Sequence, residues 1–403
     1  MERADVVVVG AGPAGAAAAI SMARAGREVV LVDKARFPRD KCCGDGLTTL
    51  ALRELEALGL RPEVIPSWTW VDAAWLRSPS GRTVELALPS TRAWHAAIAR
   101  RSELDAALVD LARHEGAKVL DGHGVTAVDV SDPRVVGLAI DGHVGLAANH
   151  VIAADGMWSP IKKAIGLTEP GELGEWHAFR QYITGVTGSA AERLWVWFEP
   201  ELLPGYAWSF PLGGGTVNVG FGILRSAGTP TGHMRAQWEQ LLRRDHIVAA
   251  LGSNSTPEGP HKAWPIPTHV DRAPLARGRV LFVGDAAAAT DPLTGEGIGQ
   301  ALLSGRLAGE AVTAAARPEA IAATYERAVA RALFADHRMS LLLSRVLSRE
   351  RGARGAVRFA GLTPWTRRNF ARWLFEDEPR AGLLTPRRWH RQFLSRPGAY
   401  AGR

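Results

Sequence analysis

The chain has 403 residues, 46% hydrophobic and 22% charged, a balance that excludes a disordered or collagen-like protein and favours two domains over one. The formal charge of +7 is confined to one end: residues 345–403 carry 14 Arg against Glu350, Glu376, Asp377 and Glu378, which leaves the remainder slightly acidic. No apolar run approaches the ~20 residues of a spanning helix, and the adjacent Cys42 and Cys43 cannot close an ordinary disulfide loop. The N-terminus reads as a strand rather than a leader. The expectation is a reduced, cytoplasmic setting, soluble or peripheral to the inner face of a membrane.

Asp5–Val9 is a β-branched run ending at Gly10 and predicts a buried parallel strand. Pro13–Ala25 is Ala-rich and predicts a helix closed by Gly26. Glu28–Val32, ending at Asp33, predicts the next strand and completes a βαβ unit. A polar loop covers Lys34–Gly46, and a helix follows over Leu47–Leu58. Leu104–His114 is amphipathic. Lys118–Leu120, Val125–Val130 and Val135–Ile140 read as strands, and His150–Ala154 as a buried strand ending at Asp155-Gly156. From Glu175 to Leu224 aromatic and polar residues alternate between glycine turns, the pattern of an antiparallel sheet. Arg279–Val283 returns to the parallel-strand pattern, before a long Ala/Leu helix over Ile298–Ala316.

Gly10-Ala11-Gly12-Pro13-Ala14-Gly15 joins the first strand to the first helix. Gly10 permits the tight turn, Gly12 lets backbone approach a pyrophosphate, and Gly15 lets helix and strand pack closely. The helix N-terminus offers unpaired N–H groups to the phosphates. Asp33, followed by Lys34, sets a carboxylate for the ribose hydroxyls of an adenosine. This much fits NAD or FAD. The second signal decides for FAD: Val283-Gly284-Asp285-Ala286-Ala287, then Asp291-Pro292-Leu293-Thr294-Gly295-Glu296-Gly297-Ile298. Asp285 ends a strand within reach of ribityl hydroxyls. The Gly295–Gly297 turn aims the next helix's N–H groups at the flavin's pyrimidine edge, which becomes anionic on reduction. Asp155-Gly156 with Ser159 is a third element, although alone it reads better as a simple turn. Val125 joins the expected cofactor set.

Together these elements resemble the p-hydroxybenzoate-hydroxylase-type FAD fold over roughly residues 1–330. That family's Asp-Gly segment continues to an Arg, where this chain has Lys162 without the guanidinium fork. The fold class predicted is α/β. A Rossmann-type FAD-binding domain (1–65, 92–174 and 270–330) is interrupted by an antiparallel-sheet substrate domain (66–91 and 175–269) and followed by a basic helical C-terminal segment (331–403).

Phe37-Pro38-Arg39-Asp40-Lys41-Cys42-Cys43-Gly44-Asp45-Gly46-Leu47 resembles the flavin-side loop of the geranylgeranyl reductase family, with Cys43 at the family cysteine. Gly205-Tyr206-Ala207-Trp208-Ser209-Phe210-Pro211, with Asn218-Val219-Gly220, resembles its Tyr-x-Trp-x-Phe-Pro substrate segment. Arg101 with Leu104-Asp105 resembles its helix start, where the Arg reaches the cofactor. The resemblance implies Cys43, Gly44, Asp45, Gly46 and Arg101 beside the flavin. It also implies saturation of isoprenoid C=C bonds by hydride from reduced flavin, with NADPH or a small electron-transfer protein as reductant.

Alternation along a strand sets Tyr206, Trp208 and Phe210 on one face. With Pro211, and with Trp195 and Trp197 of a neighbouring strand, they are read as lining a pocket for a long apolar or lipid substrate; the alternative is plain sheet core. Cys43 is either a small buried hydrophobe or a proton donor, its pKa lowered by Arg39 and Lys41. The rival function is a monooxygenase (hydroxylase or epoxidase) or halogenase-like enzyme of the same fold acting on an apolar secondary metabolite; the halogenase motif Trp-x-Trp-x-Ile-Pro differs at Tyr206 and Phe210. A prenyl-lipid escort protein would be expected to lose Asp285. No metal site is expected.

Near the C-terminus Trp365, Phe370, Trp373, Leu374 and Phe375 interleave with Arg367, Arg368 and Arg372, and Pro386-Arg387-Arg388-Trp389 follows. Two readings fit: a helix on an anionic membrane surface with its aromatics down, or a helical cap whose Arg face is solvated. The basic charge comes with no nucleic-acid module, so nucleic acid is not an expected partner. Sequence is silent on oligomeric state.

Overall fold

The protein is described from a computed structural model over residues 2–89, 93–168, 173–225, 233–315, 317–382, 385 and 396–401; Pro386-Arg387-Arg388-Trp389 lies outside them. Val6–Val9 are almost fully buried, as a strand covered on both faces requires. Glu2–Val9 runs parallel to Leu146–Ala153 on one side and to Val29–Asp33 on the other. Val29–Asp33 pairs in parallel with Lys118–Asp121, and Leu146–Ala153 with Val280–Phe282. An antiparallel flap, Val125–Asp129 and Val136–Ile140, extends this sheet beyond Leu146–Ala153. Gly10, Asp33, Ala154 and Val283 therefore follow neighbouring parallel strands at their carboxyl ends, the edge where ligands bind in such sheets.

The second sheet holds the aromatic strands. Trp176–Thr184 pairs with Lys262–Ile266 on one side and Val217–Leu224 on the other, followed by Ala207–Pro211, Leu194–Trp197, Ala73–Arg77 and Thr83–Ala87. Its pairs are antiparallel except one: Leu194–Trp197 runs parallel to Ala73–Arg77. The strands within 175–224 pair antiparallel as expected, and the one parallel pair arises where an earlier segment supplies the far edge. The helix expected from Leu47 begins instead at Thr49. Thr48 caps it, its Oγ1 accepting from Ala51 N, and Gly46–Leu47 pairs with Ala97–Ile98.

The helix Pro13–Arg24 lies directly on Ile298–Ala314, and small residues set the distance. A Cβ on Gly305 would sit 2.0 Å from the Ala14 carbonyl oxygen, and one on Gly309 3.0 Å from Ser21 Cβ. Backbone touches backbone there, which only glycine permits.

The C-terminal helices Ala335–Leu347, Glu350–Ala360 and Pro364–Leu374 close over the second sheet. Ala353, Val357, Ala360, Ala371 and Phe375 share a core with Leu76, Val84 and Leu86. The sequence readings of this segment need correction in part. Phe370, Trp373, Leu374 and Phe375 turn inward, and Arg372 is a buried ion-pair partner of Asp377, as Arg380 is of Asp291, whereas Trp365, Arg367 and Arg368 stay exposed. Among the described residues no helix is long and apolar enough to cross a membrane.

Gly305→Ala should cost at least about 2 kcal/mol in urea unfolding, in the upper part of the overpacking range. Gly355→Ala, on an open helix face, should instead gain up to about 1 kcal/mol. Equal midpoints for Gly305→Ala and wild type would contradict the contact.

Candidate active site

A cavity of about 880 Å³ runs between the two sheets and under the C-terminal helices. Its nucleotide end is lined by Gly10, Gly12, Pro13, Ala14, Asp33, Lys34, Val125, Asp155, Gly156, Gly284, Asp285, Gly295, Gly297 and Ile298. Ala11, Gly15, Asp45 and Pro292 were expected there and do not reach it. Ala11 is enclosed, and its N–H donates to Asp33 Oδ2 at 2.7 Å. A Cβ on Gly15 would fall 1.8 Å from Gly10 O, so this residue serves packing. Pro292 contributes its carbonyl to Ser344 Oγ at 3.0 Å.

The residues present fit FAD. Gly10 has φ +99, and a Cβ there would lie 2.2 Å from Ala154 O. A Cβ on Gly12 would lie 3.6 Å from Arg39 Nη2 and 4.0 Å from Arg101 Nη2. Both guanidinium groups are held by the single buried carboxylate of Asp105, at 2.8 Å for each contact. Two cations on one anion leave net positive charge facing the glycine turn, as a pyrophosphate requires. Asp285 lines the cavity and accepts from Thr290 Oγ1 at 3.3 Å. Asp155 is committed locally, accepting from Ser159 Oγ at 2.7 Å and Ile161 N at 2.9 Å. The turn before Ile298 differs from expectation: Glu296 Oε1 itself accepts from Ile298 N and Gly299 N, both at 3.0 Å. The first N–H groups of that helix are thus capped by a side chain. Among the described residues no His, Cys, Asp and Glu cluster could hold a metal ion.

The Cys43 loop is tied down from beneath. Asp45, at φ +66, turns its carboxylate away from the cavity into the sheet, where it is wholly buried. It accepts from Tyr182 Oη at 2.7 Å, Asn218 Nδ2 at 2.8 Å and Arg101 N at 3.2 Å. Burial pushes its pKa up to about 6 against those donors. Asn218 Nδ2 also reaches Cys43 O at 2.8 Å, and its Oδ1 receives Trp208 Nε1 at 3.1 Å. The expected lowering of the Cys43 pKa is reversed: burial raises it, outweighing the pull of Arg101. Lys41, read from sequence only as a cation acting on Cys43, instead has an aromatic partner. Its Nζ lies 3.6 Å over the Trp264 ring in the cavity wall, and burial pushes its ammonium down to about 8. The Pro-Arg-x-Lys spacing was visible, but the Trp264 partner lies far along the chain.

The apolar end is an aromatic wall. Phe198, Tyr206, Trp208 and Phe210 follow one another at centroid spacings of 6.1, 6.2 and 6.1 Å. Gly44 and Gly46 face Phe210, where a Cβ would come within 3.3 and 3.1 Å. Leu194, Val196, Leu76, Val357, Phe370 and Trp373 complete this end. Trp195 and Trp197 do not line it, contrary to expectation; they belong with the core on the sheet's other face. Alternation sends Leu194, Val196 and Phe198 inward, so the two tryptophans must point outward. Pro211 follows Ala207 and Ser209 by the same rule and is also absent from the lining.

Comparison with known proteins agrees with this geometry. Residues 3–333 match the family described as an FAD binding domain. A menaquinone reductase of Mycolicibacterium smegmatis is 39% identical over 332 residues, 77% of this chain and 76% of that protein. Digeranylgeranylglycerophospholipid reductase 1 of Methanopyrus kandleri is 34% identical over 329 residues, 80% of this chain and 83% of that protein. In fold alone, the chain is similar to a geranylgeranyl bacteriochlorophyll reductase-like protein of Thermoplasma acidophilum, with TM-score 0.80, 21% identity and coverage of 96% and 100%. A flavin-dependent halogenase aligns at TM-score 0.72 and 22% identity, covering 97% of this chain and 74% of that one.

Tyr182→Phe removes a donor from a wholly buried carboxylate. It should cost about 1–3 kcal/mol in denaturant unfolding at neutral pH, and less at pH values below the Asp45 pKa of about 6, where the acid is protonated. A cost that does not vary with pH would contradict the network.

Proposed function

The chain belongs to the FAD-binding family matched by residues 3–333 and, within it, to the geranylgeranyl reductases; from that premise we propose that it saturates C=C bonds in the isoprenoid chain of a prenyl quinone or prenyl lipid. The observation that carries this reading is the apolar end of the cavity. It is walled by Tyr206, Trp208 and Phe210 and closed by Val357, Phe370 and Trp373. An isolated alkene develops no oxyanion, so catalysis must rest on positioning and exclusion of water.

FAD supplies the hydride when bound. Gly10, Gly12, Arg39 and Arg101 would hold its phosphates, Asp33 and Asp285 its sugar and ribityl hydroxyls, and the Gly44–Gly46 turn would stand beside its ring. The aromatic wall lays the chain against that turn. Cys43 gives the proton: burial keeps its thiol protonated, and Arg101 and the Asp45 N–H, at 3.4 Å, face the thiolate left behind. The reductant is NADPH or a small electron-transfer protein, and no second Gly-x-Gly-x-x-Gly turn exists in the sequence to seat a separate dinucleotide domain. Monooxygenase or halogenase-like chemistry on an apolar metabolite is the second reading, and only fold likeness favours it.

We read the lipid contact as lying beside the cavity mouth. Leu342, Val346, Phe359, Leu362 and Trp365 are exposed, from 50% to 66%, and Val346 also lines the cavity. Arg345, Arg349, Arg354, Arg358, Arg367 and Arg368 are exposed around them, a composition suited to an anionic membrane surface.

Anaerobic turnover of the reduced holoprotein with a prenyl quinone and with a prenyl diphosphate should yield product heavier by two hydrogens per bond reduced. Cys43→Ala should slow that step about 100-fold or more with flavin content unchanged. Product gaining an oxygen under air, and nothing anaerobically, would overturn the reductase reading. In flotation assays the protein should follow phosphatidylglycerol vesicles and not phosphatidylcholine vesicles. The double variant Phe359→Ala, Trp365→Ala should lose that partitioning, and equal partitioning of variant and wild type would remove the lipid contact.

A further inference from the structure

At the turn that opens the helix Ile298–Ala314, two carboxyl groups pair with one guanidinium and a third lies within its field. Asp291 and Glu296 come from the turn itself, whereas Glu376 and Arg380 come from the C-terminal segment some 80 residues later. Arg380 pairs with Asp291, lies 3.1 Å from Glu376, and donates to Ser340 Oγ at 3.1 Å and Thr294 Oγ1 at 3.2 Å. Glu376 accepts from Gln300 Nε2 at 2.9 Å and Thr48 Oγ1 at 3.1 Å.

One buried cation cannot neutralise three carboxylates, Asp291 buried and Glu296 and Glu376 half-buried, so the group retains protons, as paired carboxylates elsewhere do. Their distribution follows the contacts. Burial would push Asp291 up, but Arg380, Ser340 and two backbone N–H groups hold it below the ordinary range. Burial pushes Glu296 up to about 7 and Glu376 up to about 8. The other charged or titratable groups facing the cluster are Asp336 toward Arg380, His337 toward Asp291, and Tyr206 and Cys43 on the cavity side.

The cluster also touches two cavities. Glu296 and Thr48 line the main one. Asp291, Gln300, Glu376 and Arg380 line a second of about 240 Å³, which offers charged groups and room enough for water. Gln300 Oε1 and Arg380 Nε, on residues only 5% and 6% exposed, have no partner among the described residues.

We infer that Glu376, Thr48 and Glu296 form a proton inlet that carries protons from the second cavity to the main one. The inference rests on the reductase reading for its use. Each C=C bond saturated breaks one π bond and forms two C–H bonds, one from the flavin hydride and one from a proton. The cavity that excludes water must therefore be resupplied with one proton per turnover. The proton leaves the Glu376 carboxyl, passes the Thr48 hydroxyl and the Glu296 carboxyl, and restores the Cys43 thiol. Glu376 regains it from the second cavity.

The test begins on protein without flavin, because its first readout needs no activity. The infrared carbonyl band of protonated carboxylic acid should persist at neutral pH and fade as pH rises through about 7 to about 8. Glu296→Gln and Glu376→Gln should each remove part of it. Stability should follow the same groups. A carboxyl that binds its proton more tightly folded than unfolded stabilises below its unfolded pKa, and that contribution is lost as pH rises toward its folded value. The decline should flatten in Glu376→Gln. In the holoprotein, Glu376→Gln and Thr48→Val should each slow anaerobic reoxidation of reduced flavin by a prenyl diphosphate, which has no electron acceptor besides its C=C bonds, about tenfold or more. Flavin content should not change, and the solvent deuterium effect should be larger than in wild type. An unchanged band in both carboxyl variants, or wild-type reoxidation with an unchanged solvent effect in both holoprotein variants, overturns the inlet. Should wild type itself fail to reoxidise with the prenyl diphosphate, the reductase reading falls separately, and the infrared band still decides whether the acids store protons.

Discussion

The packing of Pro13–Arg24 on Ile298–Ala314 governs the rest of the structure. The first helix begins at the early glycine turn and the second at the Gly295–Gly297 turn, nearly the whole FAD-binding region apart in sequence. Gly305 lets the second backbone rest on the Ala14 carbonyl, and that contact sets how far apart the two turns stand. A side chain at Gly305 would separate them and spread the cleft between the parallel strand ends and the late motif. Close interiors leave no slack to absorb such a shift. The geometry that receives a dinucleotide is thus decided by a packing contact between two helices, and each glycine turn matters only because that contact fixes its position.

A second constraint is electrostatic and closes the other end. Arg372 and Arg380 are buried, and each needs carboxylates to be tolerable there. Arg380 finds Asp291 beside the late flavin motif. Arg372 finds Asp377, which also pairs with Arg53 on the early helix Thr49–Ala57. The C-terminal helices are pinned to both halves of the FAD-binding region through these pairs, while Val357, Phe370 and Trp373 seal the apolar end of the cavity. The same charges that fasten the C-terminal segment leave Glu296 and Glu376 sharing too little positive charge, so the inferred proton inlet would have its origin in the structural anchor.

Much of this was legible in the chain because local backbone demands are written locally. The turn Gly10–Gly15, the acid at Asp33, and the pairing of Asp285 with Gly295–Gly297 each need particular residue types at fixed spacing. The aromatic strand was legible as a strip with Tyr206, Trp208 and Phe210 on one face. What was hidden depends on partners distant in sequence. The phase of Leu194–Trp197 is set by its pairing with Ala73–Arg77 and Ala207–Pro211, so the tryptophans faced the wrong way in the reading from composition. Asp45 seemed a cofactor contact until its left-handed backbone turned the carboxylate toward Tyr182 and Asn218. The direction of the Cys43 shift depends on burial, which no spacing encodes. Interleaved aromatics and arginines near the C-terminus suggested an exposed face, yet Phe370 and Trp373 turn inward and the buried Arg372 and Arg380 find carboxylates from Asp291 to Glu378.

A crystal structure of the protein with FAD and a prenyl quinone tests the central claim most directly. It should show the pyrophosphate between the Gly10–Gly12 turn and the Arg39–Arg101 pair. The flavin ring should lie beside Gly44–Gly46, and the prenyl chain should run along Tyr206, Trp208 and Phe210 beneath the C-terminal helices. A chain bound outside that wall, or a flavin ring held away from the Gly44–Gly46 turn, would contradict the account.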